Sequence, residues 1–401
     1  MATGAFTGQL NTNEVFSAIY NMIISQYTFS DNIKGTYGDL AQRFKTDGTL
    51  YGDTKLFYST NCLESEEWNG DSEASNLLAI KRPASPAVQY VTIDKFRKIW
   101  ITVDEYLSKR AWSDMSSFSQ FTAVIVGWMA DTKRVYESRL INTFVGTTVS
   151  NATKGIININ LDSANSGDPL YGLTGEEKNR VEASLIAQEI ADLLVDLKDT
   201  TTDYNDYKYL RSYAADDLLF VWSSKWVNKI KKLDLPTMFH KDGLMDKMDE
   251  YILPERYFGV VIDSTTYSTY SASTPTTGKP IDSDDGAYTP GVGNANGIVR
   301  SLIETTVTVS GTDYHVFPGD EIPAGATVGN SKQFGYGETY IQDANIICKA
   351  VHKDAVPFMS AFSTNTSFFN PRSLSENKYL IWGFSTPCYL YNRPFLTIKK
   401  K

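Results

Sequence analysis

Apolar residues recur at three- and four-residue steps in three stretches of the chain. The first opens at Asn13, a residue type that caps helices, and carries Val15, Phe16, Ile19, Ile23 and Ile24. This spacing predicts a helix that ends near Asp31-Asn32. The strongest signal lies in residues 113–145, where Met115, Phe118, Phe121, Ile125, Trp128, Met129, Val135, Leu140 and Phe144 fall mostly on one broad face. Ser113 or Ser116 suits its start and Gly146 its stop. About 30 residues at ~1.5 Å rise make roughly 45 Å, enough to span a whole domain as a spine. The third stretch, 174–199, sets Val181, Leu185, Ile186, Ile190, Leu193, Leu194 and Leu197 on one stripe, with Thr174 and Glu177 at capping-box spacing.

Shorter runs between and after these helices read as strands. GIININ (155–160) is one, and the continuous apolar LLFVWSS (218–224) is another. A short basic helix, SKWVNKIKK (224–232), follows with Ser224 as its cap. Residues 113–232 therefore alternate helix, strand, helix, strand, helix, a compact α/β unit. Residues 235–263 hold a short helix and then the strand GVVID. Residues 264–297 are rich in Ser, Thr, Gly, Pro and Asp and read as a long surface loop. Strand-like pieces return at LIETTVTVS, DYHVFPG and TYIQDANIICKAVH. Two more follow in NPRSLSENKYLIWGFSTPCYLYNRPFLTIKKK, which ends in a basic tail.

Residues 38–103 have a different character. LFYSTNCL is strand-like, residues 64–76 are polar and acidic, and LLAIKRPASPAVQYVTIDKFRKIWITV resumes with β-branched and aromatic residues. The simplest reading is a long two-stranded excursion with a ragged tip. Such a ribbon is marginal in water by itself, so it needs another subunit or the domain body to lie on. Lys81 and Arg82, with Lys95, Arg97 and Lys98, stand on the ribbon against Glu64, Glu66, Glu67, Asp71 and Glu73 at its tip. That layout suits rim contacts between adjacent copies, which set register. The ribbon's aromatics, Phe57, Tyr58, Trp68, Tyr90, Phe96 and Trp100, are the candidates for the contact centre, because truncating central aromatics is costly.

Composition narrows the function. The chain has 401 residues and 42% apolar content, enough for a buried core. Aromatics reach 13%, which favours extensive interfaces. With 38 basic and 47 acidic side chains the net charge is −9, so no global basic bias drives nucleic-acid binding. No run approaches about 18 apolar residues, and the start MATGAFTGQLNTNEVF lacks the pattern of a signal peptide. Cys62, Cys348 and Cys388 are odd in number and lack metal spacing, as expected of reduced thiols made in a cytoplasm.

The motifs point the same way. No nucleophile elbow, Walker loop, zinc pair or kinase signature appears. Gly291, Gly293 and Gly297 miss the dinucleotide spacing by one and lack a preceding strand. Asp282, Asp284, Asp285 and Gly286 resemble a calcium loop without its distal Glu, so a solvated turn is the expectation. His240, His315 and His352 lie in separate segments and read as structural. Lys225, Lys229, Lys231 and Lys232 read as a solvated face, with phosphate or a neighbour's carboxylates as the alternatives. No catalytic, cofactor or metal residues are assigned.

The order of elements resembles the major capsid proteins of tailed bacteriophages, the Hong Kong 97-type fold shared with encapsulins. Three stretches carry the likeness. AADDLLFVWSSKWVNKIKK (214–232) resembles the family's strand-then-helix, FHKDGLMDKMDEYILPERYFG (239–259) the approach to the axial domain, and residues 346–384 the return segment of small short-tailed phages. The resemblance implies an α+β fold with an N-terminal arm and helix (1–37), an extended β loop over a neighbouring subunit (38–110), a peripheral domain (111–234), an axial domain with a loop-rich insertion (235–364) and a return to the peripheral domain (365–401). It implies a non-catalytic shell protein that forms hexamers and pentamers of an icosahedral head around double-stranded DNA, assembled in a bacterial cytoplasm. Expected partners are copies of itself, a separate scaffolding protein, a portal, a decoration or head-fibre protein, and weak contact with packaged DNA, with no membrane and no cofactor. Some relatives crosslink a loop Lys to an Asn of a neighbour, for which Lys81 is the nearby candidate; no crosslink is assigned here. The competing readings are an encapsulin-like shell or other virion protein, and, from another class, a carbohydrate-binding protein or enzyme using its Tyr and Trp side chains.

Overall fold

The computed structural model describes residues 40–46, 52–65, 67, 80, 82–104, 115–231, 249–262, 298–323, 326 and 334–401. The expected N-terminal helix, the short helix before GVVID, and the 264–297 loop with its Asp and Gly motifs lie outside the described residues, as does His240.

Four helices occur in the described chain: α1 (Leu40–Arg43), α2 (Met115–Gly146), α3 (Gly175–Lys198) and α4 (Ser224–Lys231). The early strands are β1 (Lys45–Thr46), β2 (Thr54–Ser59), β3 (Ala87–Asp104), β4 (Thr147–Thr148), β5 (Ile156–Ile159) and β6 (Leu218–Ser223). The later ones are β7 (Asp249–Leu253), β8 (Gly259–Val261), β9 (Val299–Ser301), β10 (Thr305–Val309), β11 (Thr312–Val316), β12 (Thr339–Gln342), β13 (Ile346–His352), β14 (Phe358–Asn370), β15 (Ser375–Ser385) and β16 (Phe395–Lys400). The two long helices and the strand runs sit where the periodicity places them.

A central sheet has the order β5–β16–β13–β6–β7. β13 runs antiparallel to both β6 and β16, while β7 and β5 are parallel additions at the edges. Every residue of β6 is buried, and the register explains why its sequence is unbroken apolar. Leu219 and Val221 face a core shared with Tyr136, Leu140, Ile141 and Val145 of α2. Leu218, Phe220 and Trp222 face a second core shared with Ile186, Ile190, Leu193 and Leu197 of α3. A strand covered on both faces has no polar side to alternate with.

The second large sheet has the order β1–β14–β15–β3–β2. β3, with 18 residues, joins two partners. Its first part pairs with β2 and its second with β15, shifting register between Ile93 and Lys95. Tyr136 of α2 meets Trp382 and Phe384 of β15 edge-on, at 6.2 and 5.5 Å between ring centres, so the spine helix lies between the two sheets. A smaller sheet, β4–β8–β12–β9, and the hairpin β10–β11 complete the fold. That hairpin turns on Ser310 and Gly311, both with positive φ, a two-residue turn whose twist matches the strands.

Several expectations change here. The excursion is not a free two-stranded ribbon at its root, because β15, β14 and β1 extend it into five strands. β14 itself was not anticipated: FMSAFSTNTSFFN is rich in Ser, Thr and Asn and reads as loop until its partner strand is known. A boundary at 234 separates β6 from its neighbour β7, and one at 365 falls inside β14, so the sheets interleave segments that a linear division keeps apart. Thr174 does occupy the N-cap of α3, but its side chain makes no capping bond. Gly146 does end the spine helix, for a reason of space: a Cβ there would sit 2.1 Å from the Tyr257 carbonyl oxygen.

Candidate assembly surface

The ribbon has two unlike faces. In the antiparallel register Phe57 lies opposite Gln89, Lys55 opposite Val91 and Ser59 opposite Ala87. Val91 and Ser59 are buried and Phe57 half-buried. Gln89 is tied to the body: its amide nitrogen donates to the Tyr389 carbonyl at 2.8 Å, and its amide oxygen accepts from the Tyr391 N–H at 3.0 Å. The other face pairs Leu56 with Tyr90 and Tyr58 with Val88. These four stand 53%, 72%, 63% and 46% exposed. Four neighbouring apolar side chains in water, on a strand pair whose reverse side is packed, form a contiguous sticky patch of the kind that marks an interaction site.

A second aromatic group lies farther along the same sheet. Trp100, 58% exposed, stacks against Tyr379 at 6.4 Å, and Phe368 meets Tyr379 edge-on at 5.9 Å. Phe369 and Leu374 of the β14–β15 hairpin are also exposed. Sequence reading missed Phe368, Phe369, Leu374 and Tyr379. The signal available was the Phe-Phe pair inside a polar run, which makes sense only as one edge of a hairpin.

The remaining ribbon candidates separate by environment. Phe96 is partly exposed, with its ring lying over Gly383 of β15; a Cβ at that glycine would come within 2.7 Å of the ring. Arg97 turns inward. It pairs with Glu304 at 2.8 Å, donates to the Glu304 carbonyl at 2.6 Å and covers the Tyr136 ring at 4.6 Å. It thus fastens the ribbon sheet to the spine and to the segment before β10. Arg82 is exposed. Trp68 and Lys81 lie outside the described residues.

The chemistry elsewhere is structural in geometry. His352 is buried; its Nδ1 accepts from the Asp354 N–H at 3.0 Å, and Arg393 approaches Nε2 at 3.1 Å. Burial, with Arg393 beside it, pushes its pKa down to about 4. His315 contacts Glu304 at 2.9 Å. Lys225 of the basic run pairs with Glu255 at 3.2 Å. Lys349 of β13 is fully buried, donating to the Thr147 carbonyl and the Thr397 hydroxyl at 2.7 and 2.6 Å beneath the Phe395 ring. Burial holds its amine down to about 7. Among the described residues no three His, Cys, Asp or Glu side chains gather closely enough to hold a metal, and no helix is long and apolar enough to cross a membrane.

A family model for Phi29-like phage major capsid proteins matches residues 2–384. The chain belongs to that family. Its role is accordingly structural, as a component of a phage capsid, and the capsid reading is selected over the encapsulin and carbohydrate-binding alternatives. No curated protein matches. Among solved structures, the chain is similar to one in the capsid structure of Staphylococcus phage Andhra, at 10% identity and a TM-score of 0.53, covering 89% of this chain and 83% of that one. It is also similar to a chain in the structure of head fiber and inner core protein gp22 of native bacteriophage P68, at 11% identity and 0.54, covering 92% and 86%. At one residue in ten identical, these likenesses speak for the fold, which is of the Hong Kong 97 type.

Proposed function

We propose that this capsid protein builds the hexamers and pentamers of an icosahedral head around double-stranded DNA, without catalysis, and that the ribbon is its principal reach onto a neighbour. The observation that carries this reading is the one-sided ribbon, with Leu56, Tyr58, Val88 and Tyr90 in water and the reverse face packed. A shell subunit needs heterologous contacts that close by symmetry, and such contacts are wide and aromatic more than deep. Trp100, Tyr379 and Phe368 supply a second patch of the same kind. Its partners in assembly, in the host cytoplasm, are a scaffolding protein and a portal, and a head-fibre protein binds the outside; the P68 relative comes from a structure that includes a head fiber. The net charge of −9 fits a wall that holds packaged DNA weakly, since strong phosphate neutralisation would fix the genome in place.

Light scattering after size exclusion, with negative-stain imaging, tests the reading on the chain alone and with its genomic neighbours. Particles, tubes or hexameric rings are the expected result, and a 45 kDa monomer in both preparations overturns it. Trp100→Ala is expected to lower particle yield while leaving the subunit folded; unchanged yield removes Trp100 from the contact. Nanomolar DNA binding at physiological salt would contradict the weak-wall argument.

A further inference from the structure

A cavity of about 510 Å3 opens beside the ribbon, between β1, β2 and the loops around 353–357 and 390–393. Its floor is apolar: Phe44, Phe57, Val356, Pro357 and Leu390. Its walls carry four cations, Arg43, Lys45, Lys353 and Arg393, against one carboxylate, Asp354. In a chain with net charge −9 this is a local reversal of sign. Three of the cations are held in place. Asp249 binds Arg43 and lies 2.9 Å from Lys353, and Arg393 rests on His352. Lys45 is exposed. Even with Asp249 counted, positive groups outnumber negative ones by four to two. Leu56 and Tyr58, from the exposed ribbon face, also line the cavity, so it is continuous with the surface described above.

We infer that this cavity receives the acidic segment 63–78 of a neighbouring copy of the chain. That segment, LESEEWNGDSEASNLL, carries Glu64, Glu66, Glu67, Asp71 and Glu73 around Trp68 and contains no Lys or Arg. The match is double: carboxylates for the guanidinium and ammonium groups, and an indole for the apolar floor. The volume falls within the roughly 300–1,000 Å3 typical of pockets that enclose a side chain of this size and more. A nucleic-acid backbone would satisfy the cations and leave the floor unused. In its own subunit the segment departs from β2 past Thr60 and Asn61, which are fastened to Arg211 and to the Leu210 N–H. Neither Leu210 nor Arg211 lines the cavity. The inference rests on the capsid reading, since it requires copies side by side.

The test is a disulfide trap in the full chain with Cys62→Ser. Asn392→Cys is combined in turn with Glu67→Cys, Asn69→Cys and Asp71→Cys, and assembled particles are oxidised. At least one pair is expected to give a ladder of linked copies on a denaturing gel. Particles that form with no ladder, or with crosslinks only inside one chain, overturn the inference and leave the capsid reading intact. An unsubstituted chain that forms no particles with its neighbours overturns the capsid reading instead. A charge exchange gives the second arm. Lys45→Glu, at an exposed position that leaves the fold alone, is expected to lower particle yield at least tenfold, and Glu66→Lys in the same chain to recover part of it. Lys45→Glu with full assembly but reduced DNA retention in a mobility shift would make the cavity a phosphate site, and would equally overturn the inference.

Discussion

The two five-stranded sheets of this subunit are used in opposite ways. The central sheet, β5–β16–β13–β6–β7, is covered on both faces, by α2 with the ribbon sheet on one side and by α3 on the other. The ribbon sheet, β1–β14–β15–β3–β2, is covered at its root and bare along Leu56, Tyr58, Val88, Tyr90, Trp100 and Phe368. Burial makes the first sheet hold the subunit together. Exposure leaves the second with a bare apolar face, the one proposed above to meet a neighbouring copy. What an apolar side chain does here therefore depends on whether the face it stands on is covered.

The largest effect expected from this contrast is in the central sheet. Phe220→Ala empties a site that is 1% exposed and should cost about 3–5 kcal/mol in urea unfolding of the subunit. A loss below about 1 kcal/mol would mean that the α3 side of the sheet is not a packed core. Next comes Lys349, a fully buried lysine of β13 whose amine donates to the Thr147 carbonyl just past the spine helix. Its amine titrates near 10.5 when exposed and is held down to about 7 by burial. Between those values the unfolded chain binds more protons than the native one, so this group makes stability rise as pH climbs from about 7 toward 10.5. Below pH 7 both states carry the proton and the native chain bears the cost of a buried ammonium. Lys349→Met should flatten the change in unfolding free energy between pH 7 and 9, and an equal slope in both proteins would show that the amine is solvated.

The ribbon should answer differently. Tyr90→Ala is expected to change subunit stability by no more than about 0.5 kcal/mol, as surface substitutions do, while lowering particle yield by tenfold or more if the residue sits at a contact centre. Equal effects on both readouts would erase the distinction between the sheets. The smallest effect is at the start of α3. An N-cap Thr bonded to the helix is usually worth about 0.5–2 kcal/mol, but Thr174 makes no such bond, so Thr174→Ala should cost less than that range in thermal unfolding.

Local pattern was enough for the helices and for the strands whose burial is uniform. The spine and α3 follow from apolar residues at helical steps, and β6 from an unbroken apolar run followed by a short basic helix. In each case the residue's neighbours in sequence are also its neighbours in energy. β14 escaped because its Ser, Thr and Asn residues acquire strand character only from pairing with β15 across the hairpin. The membership of each sheet escaped for a related reason. Strands separated by more than a hundred residues, such as β6 and β13, share a ladder, and no linear cut reproduces that.

The same division holds for the assembly surface. The sequence by itself determined that a ribbon exists, that it is aromatic, and that its tip is acidic, because alternation, composition and charge are properties of adjacent residues. Only the tertiary structure decided that Arg97 turns inward to Glu304, that Tyr58 and Tyr90 remain in water, and that Phe368 and Tyr379 join Trp100. It alone gathered Arg43, Lys45, Lys353 and Arg393 around one cavity. Which face of a strand is buried depends on what packs against it, and here the packing partners come from segments hundreds of residues away.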